Sequence, residues 1–323
     1  MKIGQTSIVQ KVLVRITLLL VVLLAVNAGT YMVTRFLALR GPLAYGYIPD
    51  GKVSLAEIPQ GYVTYLGHVL KGDVRSTEQQ LGAGTIGNDP LIPMISEALK
   101  NSLVLLGISI VFAAVFGITL GMLSVNHNTR STNPIGLLVS IAGFSMPGFY
   151  LGILVLALMF TMAARGVRWN YLPSSGYGLD KHLILPVLAL GIRPMAEVAR
   201  MTAELLSEEL GKDYVRAARA KGLPWRIVVL RHAFRNIAAT IVTALGNSLS
   251  YLIGSLVIIE QVFLWPGLGR ALLLSIKISD FAGTILDPVL IATLVTTGTL
   301  LYLIIDLFTD IISQVLDPRL RKA

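Results

Sequence analysis

Hydrophobic residues along this chain gather into long, nearly unbroken runs separated by polar stretches, without the alternation that marks a half-buried strand. Six runs are long enough to matter: Val12 to Thr34, Ala98 to Val125, Ile135 to Ala163, His182 to Leu206, Ile237 to Val262 and Val289 to Ile311. A bilayer core takes about 20 apolar residues per helical crossing. Only helices and closed barrels satisfy their own backbone polar groups in lipid, and transmembrane strands are about half as long and alternate. The pattern therefore predicts an all-α integral membrane protein with about six transmembrane helices. The first run follows Lys2, Lys11 and Arg15 as a secretory signal would. It outlasts the apolar core of about 7 to 15 residues that such signals carry, so it is read as a helix.

Composition supports this class. Of 323 residues, 54% are apolar and 14% charged, far from the soluble globular norm. Cysteine is absent, which removes disulfides and thiolate metal sites. The net charge of +9 has a topological reading. With the N-terminus inside, the inner segments hold Lys2, Lys11, Arg15, Arg130, Lys212, Arg216, Arg219, Lys221, Arg226, Arg231, Arg235, Arg319, Arg321 and Lys322. The outer segments hold fewer cations over much more chain, offset by acids such as Asp50, Glu57, Asp73 and Asp89. The positive-inside rule then places both termini in the cytoplasm, and no nucleic-acid partner is needed to explain the basicity.

Four stretches follow: an N-terminal segment and first helix at 1–34, an outer loop or cap at 35–97, a core of five membrane helices at 98–313, and an inner tail at 314–323. In the cap, Pro42, Pro49 and Pro59 punctuate the chain, Tyr62 to Lys71 predicts a short surface helix, and Gly82 to Pro90 reads as a breaker. No independent fold is expected there. The stretch Tyr62 to Asp73 is either a docking place for a solute receptor or a plain lid.

The inner loop Ser207 to Asn236 carries the most information. From Glu208 to Lys221 it has helix formers, with acids early (Glu208, Glu209, Asp213) and bases late (Arg219, Lys221), the sense that suits a helix dipole. Gly222 supplies a C-cap and Pro224 forbids continuation. Either Tyr214, Ala217, Ala218 and Lys221 form a face that enters a partner's groove, or the helix lies on anionic lipid through Arg216, Arg219 and Lys221.

The stretch DYVRAARAKGL at Asp213 to Leu223, followed by RHAFRN at Arg231 to Asn236, resembles the coupling loop of membrane permease subunits of ATP-binding cassette importers for dipeptides, oligopeptides and nickel. Further pieces fit that family in order: YLGHVLKGD from Tyr65, ISEALKNSL from Ile95, SMPGFYLGILVL from Ser145, YLPSSGYG from Tyr171, HLILPVLALG from His182, VFLWPGLGR from Val262 and LDPRLR from Leu316. The resemblance implies a type I importer permease fold in the plasma (inner) membrane of a bacterium or archaeon. It implies ATPase coupling through Asp213, Tyr214, Arg216, Ala217, Ala218, Lys221 and Gly222, with Tyr214 as the aromatic anchor. The implied partners are a second, related permease, two ATPase subunits that hold ATP and Mg, and an extracytoplasmic substrate-binding protein. Short peptides are the expected cargo; nickel chelates and glutathione-like solutes are the alternatives. Where many relatives have a proline after the RHA segment this chain has Ala238, Ala239 and Thr240, which predicts a straighter lead into the fifth membrane helix.

The chain has no GxxxxGK followed by Ser or Thr, and so no phosphate cradle of its own. It has no HExxH, and His68, His127, His182 and His232 are scattered. The expectation is a non-catalytic subunit that binds no cofactor or metal.

Polar residues within the spans complete the reading, since a charge at mid-bilayer costs about 2.5 to 3.5 kcal/mol on the insertion scale. Arg193 lies near the midplane of the fourth span, with Glu197 four residues on. Arg193 is either ion-paired with Glu197 at i+4, facing a neighbouring helix, or a cationic point on the wall of a solute path, and Asn247 and Ser250 of the fifth span either line that path or bond between helices. Glu260, with Trp265, belongs either to an outer gate or to the solvated headgroup zone. Two other classes compete: a secondary carrier built on broken helices, for which Arg193 next to Pro194 is a faint sign, and a non-transporting scaffold.

Overall fold

Long apolar runs become long helices here, because each backbone N–H and C=O is satisfied within its own segment. In the computed structural model the described residues are 8–40, 57–76, 79–81, 84–86, 89–125, 147–166, 172–279 and 283–316. Lys2, Pro42, Pro49, His127, Arg130, the stretch from Ile135 to Met146, Tyr171 and the tail 317–323, with Arg319, Arg321 and Lys322, lie outside them.

In chain order the elements are α1 (Ile8–Arg40), α2 (Glu57–Lys71), a hairpin of β1 (Gln79–Leu81) and β2 (Gly84–Ile86), α3 (Leu91–Leu123), α4 (Gly148–Ala164) and α5 (Ile184–Glu209). There follow α6 (Asp213–Ala220), α7 (Phe234–Val262), α8 (Leu268–Ser275), a second hairpin of β3 (Ile276–Ser279) and β4 (Gly283–Leu286), and α9 (Pro288–Leu316). Among the described residues five helices are long and apolar enough to cross a membrane: Val14–Leu37, Leu91–Leu123, Lys181–Glu209, Trp225–Val262 and Pro288–Ile312. Of the sixth expected span, the described part is the 17-residue apolar helix α4.

Two short antiparallel hairpins accompany the helices among the described residues. β3 and β4 pair antiparallel from Ile276 opposite Leu286 to Ser279 opposite Gly283. Their β-branched residues, Ile276, Ile278, Thr284 and Ile285, favour strand.

The described chain divides into two compact units. One holds residues 1–100 and 267–303. In it α2, expected from Tyr62, begins at Glu57 with Pro59 in its first turn, a position where the missing N–H costs nothing. α2 is anchored rather than simply laid on a surface. Asn27 of α1 donates to the Tyr65 hydroxyl at 3.0 Å and to Thr296 Oγ1 of α9 at 2.7 Å, and its carbonyl accepts from the Tyr62 hydroxyl at 3.0 Å. Tyr31 stacks on Tyr65 with centroids 5.1 Å apart. α9 starts where Asp287 caps it, its carboxylate accepting from the N–H groups of Val289 and Leu290, each at 3.0 Å. On α1, Val14, Leu18, Val21 and Leu24 are exposed, as a lipid-facing stripe requires.

The other unit holds residues 101–266 and 304–323. Small residues let its helices approach closely. A Cβ on Gly117 of α3 would sit 2.8 Å from the Met195 carbonyl oxygen of α5, and one on Gly121 would sit 2.6 Å from that of Ala199. Gly117 and Gly121 form a GxxxG spacing, the usual way membrane helices bring their backbones together. Gly148 of α4 meets the backbone of Ala189 in the same manner.

Candidate functional site

The segment between α5 and α7 is built as a short helix followed by a hard corner. α5 runs on through Glu209, so Glu208 and Glu209 close the membrane helix instead of opening the loop helix. Buried Leu206 and Leu210 hold that register, and the Gly211 and Lys212 N–H groups bond back to the carbonyls of Glu208 and Glu209. α6 then keeps Asp213 in its first turn and Arg219 in its last, matching the helix dipole.

The corner forms as the sequence requires. Gly222 has φ of +78°, the left-handed conformation that glycine adopts without Cβ strain. Its N–H donates to the Arg219 carbonyl at 2.9 Å, and that of Leu223 donates to the Ala218 carbonyl at 3.3 Å, a Schellman cap. Pro224 precedes a single helical turn, Trp225–Ile227, and a π turn, Val228–Ala233, leads into α7. The lead into α7 is helical throughout and passes through a wide π turn.

The face of α6 differs from expectation. Val215 is 2% exposed, and with Ala218 it joins a core made of Leu206, Val228, Ala233, Ile237 and Ile241. Tyr214 is half-buried against the same cluster. Of the four residues expected to meet a partner together, Tyr214 and Ala218 turn inward, and Ala217 and Lys221 stay outside. The outward face is Asp213, Arg216, Ala217, Ala220 and Lys221, with an ion pair between Asp213 and Arg216. The reason is tertiary: in isolation a tyrosine and alanines look alike as a docking face or as a seam onto the protein's own core.

One group escaped the sequence reading. Glu209 has a side chain only 7% exposed and gathers three donors. Its Oε1 accepts from the Tyr214 hydroxyl and from Asn236 Nδ2, both at 2.8 Å, and Oε2 pairs with Lys212. Asn236 Nδ2 also lies 3.3 Å from the Tyr214 hydroxyl, closing a triangle across the end of α5, the start of α6 and the first turn of α7. Burial and the neighbouring carboxylate push the Tyr214 phenol up to about 12, so it stays protonated and donating at physiological pH. The available signal was the acid pair Glu208 and Glu209 at the end of an apolar run, with Lys212 three residues on.

Within the membrane helices, α5 and α7 pair through polar residues. The Arg193 guanidinium lies 3.9 Å from the centroid of the Tyr251 ring. Ser248 donates to Glu197 at 3.3 Å, and Arg200 pairs with Glu204 at 2.9 Å. Arg193, Glu197 and Arg200 are all half-buried on one side of α5. Asn247 is exposed one turn before Tyr251, and Ser250 is half-buried. Tyr251 and Ser248 thus bind the expected charges.

The expected outer-gate pair is interior. Glu260 is 0% exposed and accepts from Ser102 Oγ at 2.6 Å, which rules out the solvated headgroup position. Trp265, also fully buried, donates from Nε1 to the Asn101 carbonyl at 3.1 Å. Asn101 Nδ2 returns a bond to the Pro266 carbonyl at 2.9 Å, and the Tyr177 ring tilts against Trp265 at 4.9 Å. These bonds fix the sharp turn at Leu264, which has φ of +54°. Among the described residues no three His, Asp or Glu side chains gather as metal ligands would.

The chain is 34% identical over 263 residues to the dipeptide transport system permease protein DppB of Lactococcus lactis subsp. cremoris, covering 81% of this chain and 80% of that protein. It is 32% identical over 257 residues to the glutathione transport system permease protein GsiC of Salmonella typhi (80% and 78%), and 31% over 264 residues to its namesake in Pectobacterium atrosepticum (82% and 80%). Residues 90–322, which include the whole segment between α5 and α7, match the family described as binding-protein-dependent transport system inner membrane component. The chain therefore belongs to that family and is a permease subunit of a binding-protein-dependent ATP-binding cassette importer.

Proposed function

We propose that this chain forms half of a path for short peptides and is driven by separate ATPase subunits that grip the exposed face of α6. One observation carries the reading: α6 is fixed by its own core between two membrane-length helices while Arg216, Ala217 and Lys221 are left outside. A lever needs that combination of rigid root and free face. Asp213 and Gly222 set its two ends, and Tyr214 and Ala218 root it.

On this reading a second, related permease completes the path, and two ATPases carry ATP and Mg on the cytoplasmic side with both termini. A receptor delivers solute from outside. The subunit itself is non-catalytic and binds no cofactor or metal. The stretch 1–34 supplies an additional helix, 35–97 the outer cap that the receptor meets, 98–313 the permease core and 314–323 the inner tail. Glu260 and Trp265 serve the outer gate by fastening its turn to Asn101 and Ser102, not by touching solute. Purification tests the assignment. The chain should copurify with ATPase subunits, and reconstituted uptake should require ATP and receptor; transport by the chain alone on an ion gradient would establish a secondary carrier instead.

Relatives named for a dipeptide and for glutathione both point to peptide-like cargo. Arg193 and Glu197, four residues apart on α5, stand about 6 Å apart along the helix axis, with Asn247 and Ser250 on the facing helix. Such a pair suits the two charged ends of a short peptide. Charged hydrogen bonds are worth about 1.5 to 3 kcal/mol, so Arg193→Leu should lower uptake of free-acid peptides about tenfold. Receptor-stimulated ATP hydrolysis should persist, and peptides amidated at the C-terminus should lose less. Equal uptake of both peptide forms by the variant and the parent would remove Arg193 from the path.

A further inference from the structure

We infer that Glu209 is a positioning residue that makes α6 move as one body with both membrane helices it joins, and that coupling fails when its bonds to Tyr214 and Asn236 are cut. This rests on the assignment of α6 as the ATPase-facing lever. It adds where the force passes.

A lever transmits displacement only if its joints are stiffer than its load. The covalent joints of α6 are weak for this purpose. On one side lies the turn at Leu210 to Lys212, and on the other the Gly222–Pro224 corner, where no side chain lies within 4 Å of a Cβ placed on Gly222. The apolar core beneath Val215 and Ala218 resists separation of the helices, but apolar contacts are non-directional and permit sliding and rotation. Hydrogen bonds fix direction. The Glu209 carboxylate accepts two on one oxygen, one from the second residue of α6 and one from the third residue of α7, while standing on the last residue of α5. The other oxygen is held by Lys212, so the carboxylate cannot rotate away without losing an ion pair.

The cost of burying this charge supports a role beyond packing. A carboxylate 7% exposed is tolerated only when paired and bonded, and an apolar replacement of similar volume is often as stable. What an apolar residue cannot give is a fixed angle between three elements. Glu209 is itself buried, so it acts on any ATPase through α6 and not by contact.

The experiment uses the complete importer reconstituted with its ATPases, receptor and a peptide. For Glu209→Leu, Tyr214→Phe and Asn236→Ala, uptake and ATP hydrolysis are measured on equal amounts of assembled complex. Expected is a drop of about fivefold in peptide imported per ATP for Tyr214→Phe and for Asn236→Ala, the worth of one such bond, and at least as much for Glu209→Leu, with receptor-stimulated hydrolysis retained. Tyr214→Phe and Asn236→Ala together should lose less than the product of their separate effects, because both bonds end on the same oxygen. A merely structural role would lower the amount of complex and leave the ratio unchanged, and an unchanged ratio overturns the inference. Ala217→Glu, measured in parallel, separates the two levels: if it abolishes coupling while the Glu209 set behaves as the parent, the lever stands and the fastening falls. If Ala217→Glu is also silent, the lever assignment itself falls.

Discussion

Gly121→Leu is expected to leave almost no folded protein. A Cβ at this position would lie 2.6 Å from the Ala199 carbonyl oxygen and 2.6 Å from Thr202 Cβ, so the collision is with backbone that has no alternative rotamer. The clash can be relieved only by moving α3 away from α5, which opens the neighbouring contact, where Gly117 faces Met195 and Val198. Overpacking usually costs about 1 to 3 kcal/mol, and a collision that parts two backbones belongs at or above the top of that range. Against a net stability of about 5 to 15 kcal/mol, and with no hydrophobic force to hold helices together in lipid, that is a large share. Gly107→Leu on the same helix is the control, because Gly107 is exposed with nothing within 4 Å of its added Cβ. Monodisperse yield and thermal midpoint in detergent should collapse for the first variant and hold for the second. Equal midpoints would show that α3 does not pack on α5 in this way.

Ala217→Glu should abolish uptake in a protein that folds normally. Ala217 is exposed on α6 and belongs to no part of the chain's own core, so the added carboxylate has little reason to disturb the fold, surface changes of this kind being worth about 0.5 kcal/mol or less. A partner that closes over a small residue would meet a bulky charge instead. Burying such a charge unpaired costs several kcal/mol, enough to release the ATPase or to leave it turning over without effect. Gly222→Val tests the other end of α6 by forcing a β-branched residue into φ of +78°, at a cost of about 1 to 2 kcal/mol. Uptake by membrane vesicles, normalised to the amount of inserted chain, is the measure for both variants. Full uptake by both would leave α6 without a role in driving transport.

The loop between α5 and α7 was legible to different depths. Its existence, its helix, and its stop at Gly222 and Pro224 were visible because each depends on local rules of dipole, cap and ring geometry. Its register was less so: Glu208 and Glu209 look like the acidic start of a loop helix, but the core contacts of Leu206 and Leu210 draw them into α5. The orientation of Tyr214 and Ala218 was not legible, since helical spacing gives a shared face and not its direction. Glu260 shows the same limit. An acid near the end of a span looks solvated until Ser102, distant in sequence, is placed beside it.

By itself the sequence determined the membrane class, the helical spans, the stop-and-turn of the loop and the family, because hydropathy, capping and motif order are properties of neighbouring residues. Only the tertiary structure decided which side of each helix is spent on the protein's own interior. Asn27 reaching Thr296, Gly121 reaching Ala199, and Glu209 reaching Asn236 are contacts between residues far apart in the chain, and their partners are set by how the helices pack rather than by the local sequence around either one.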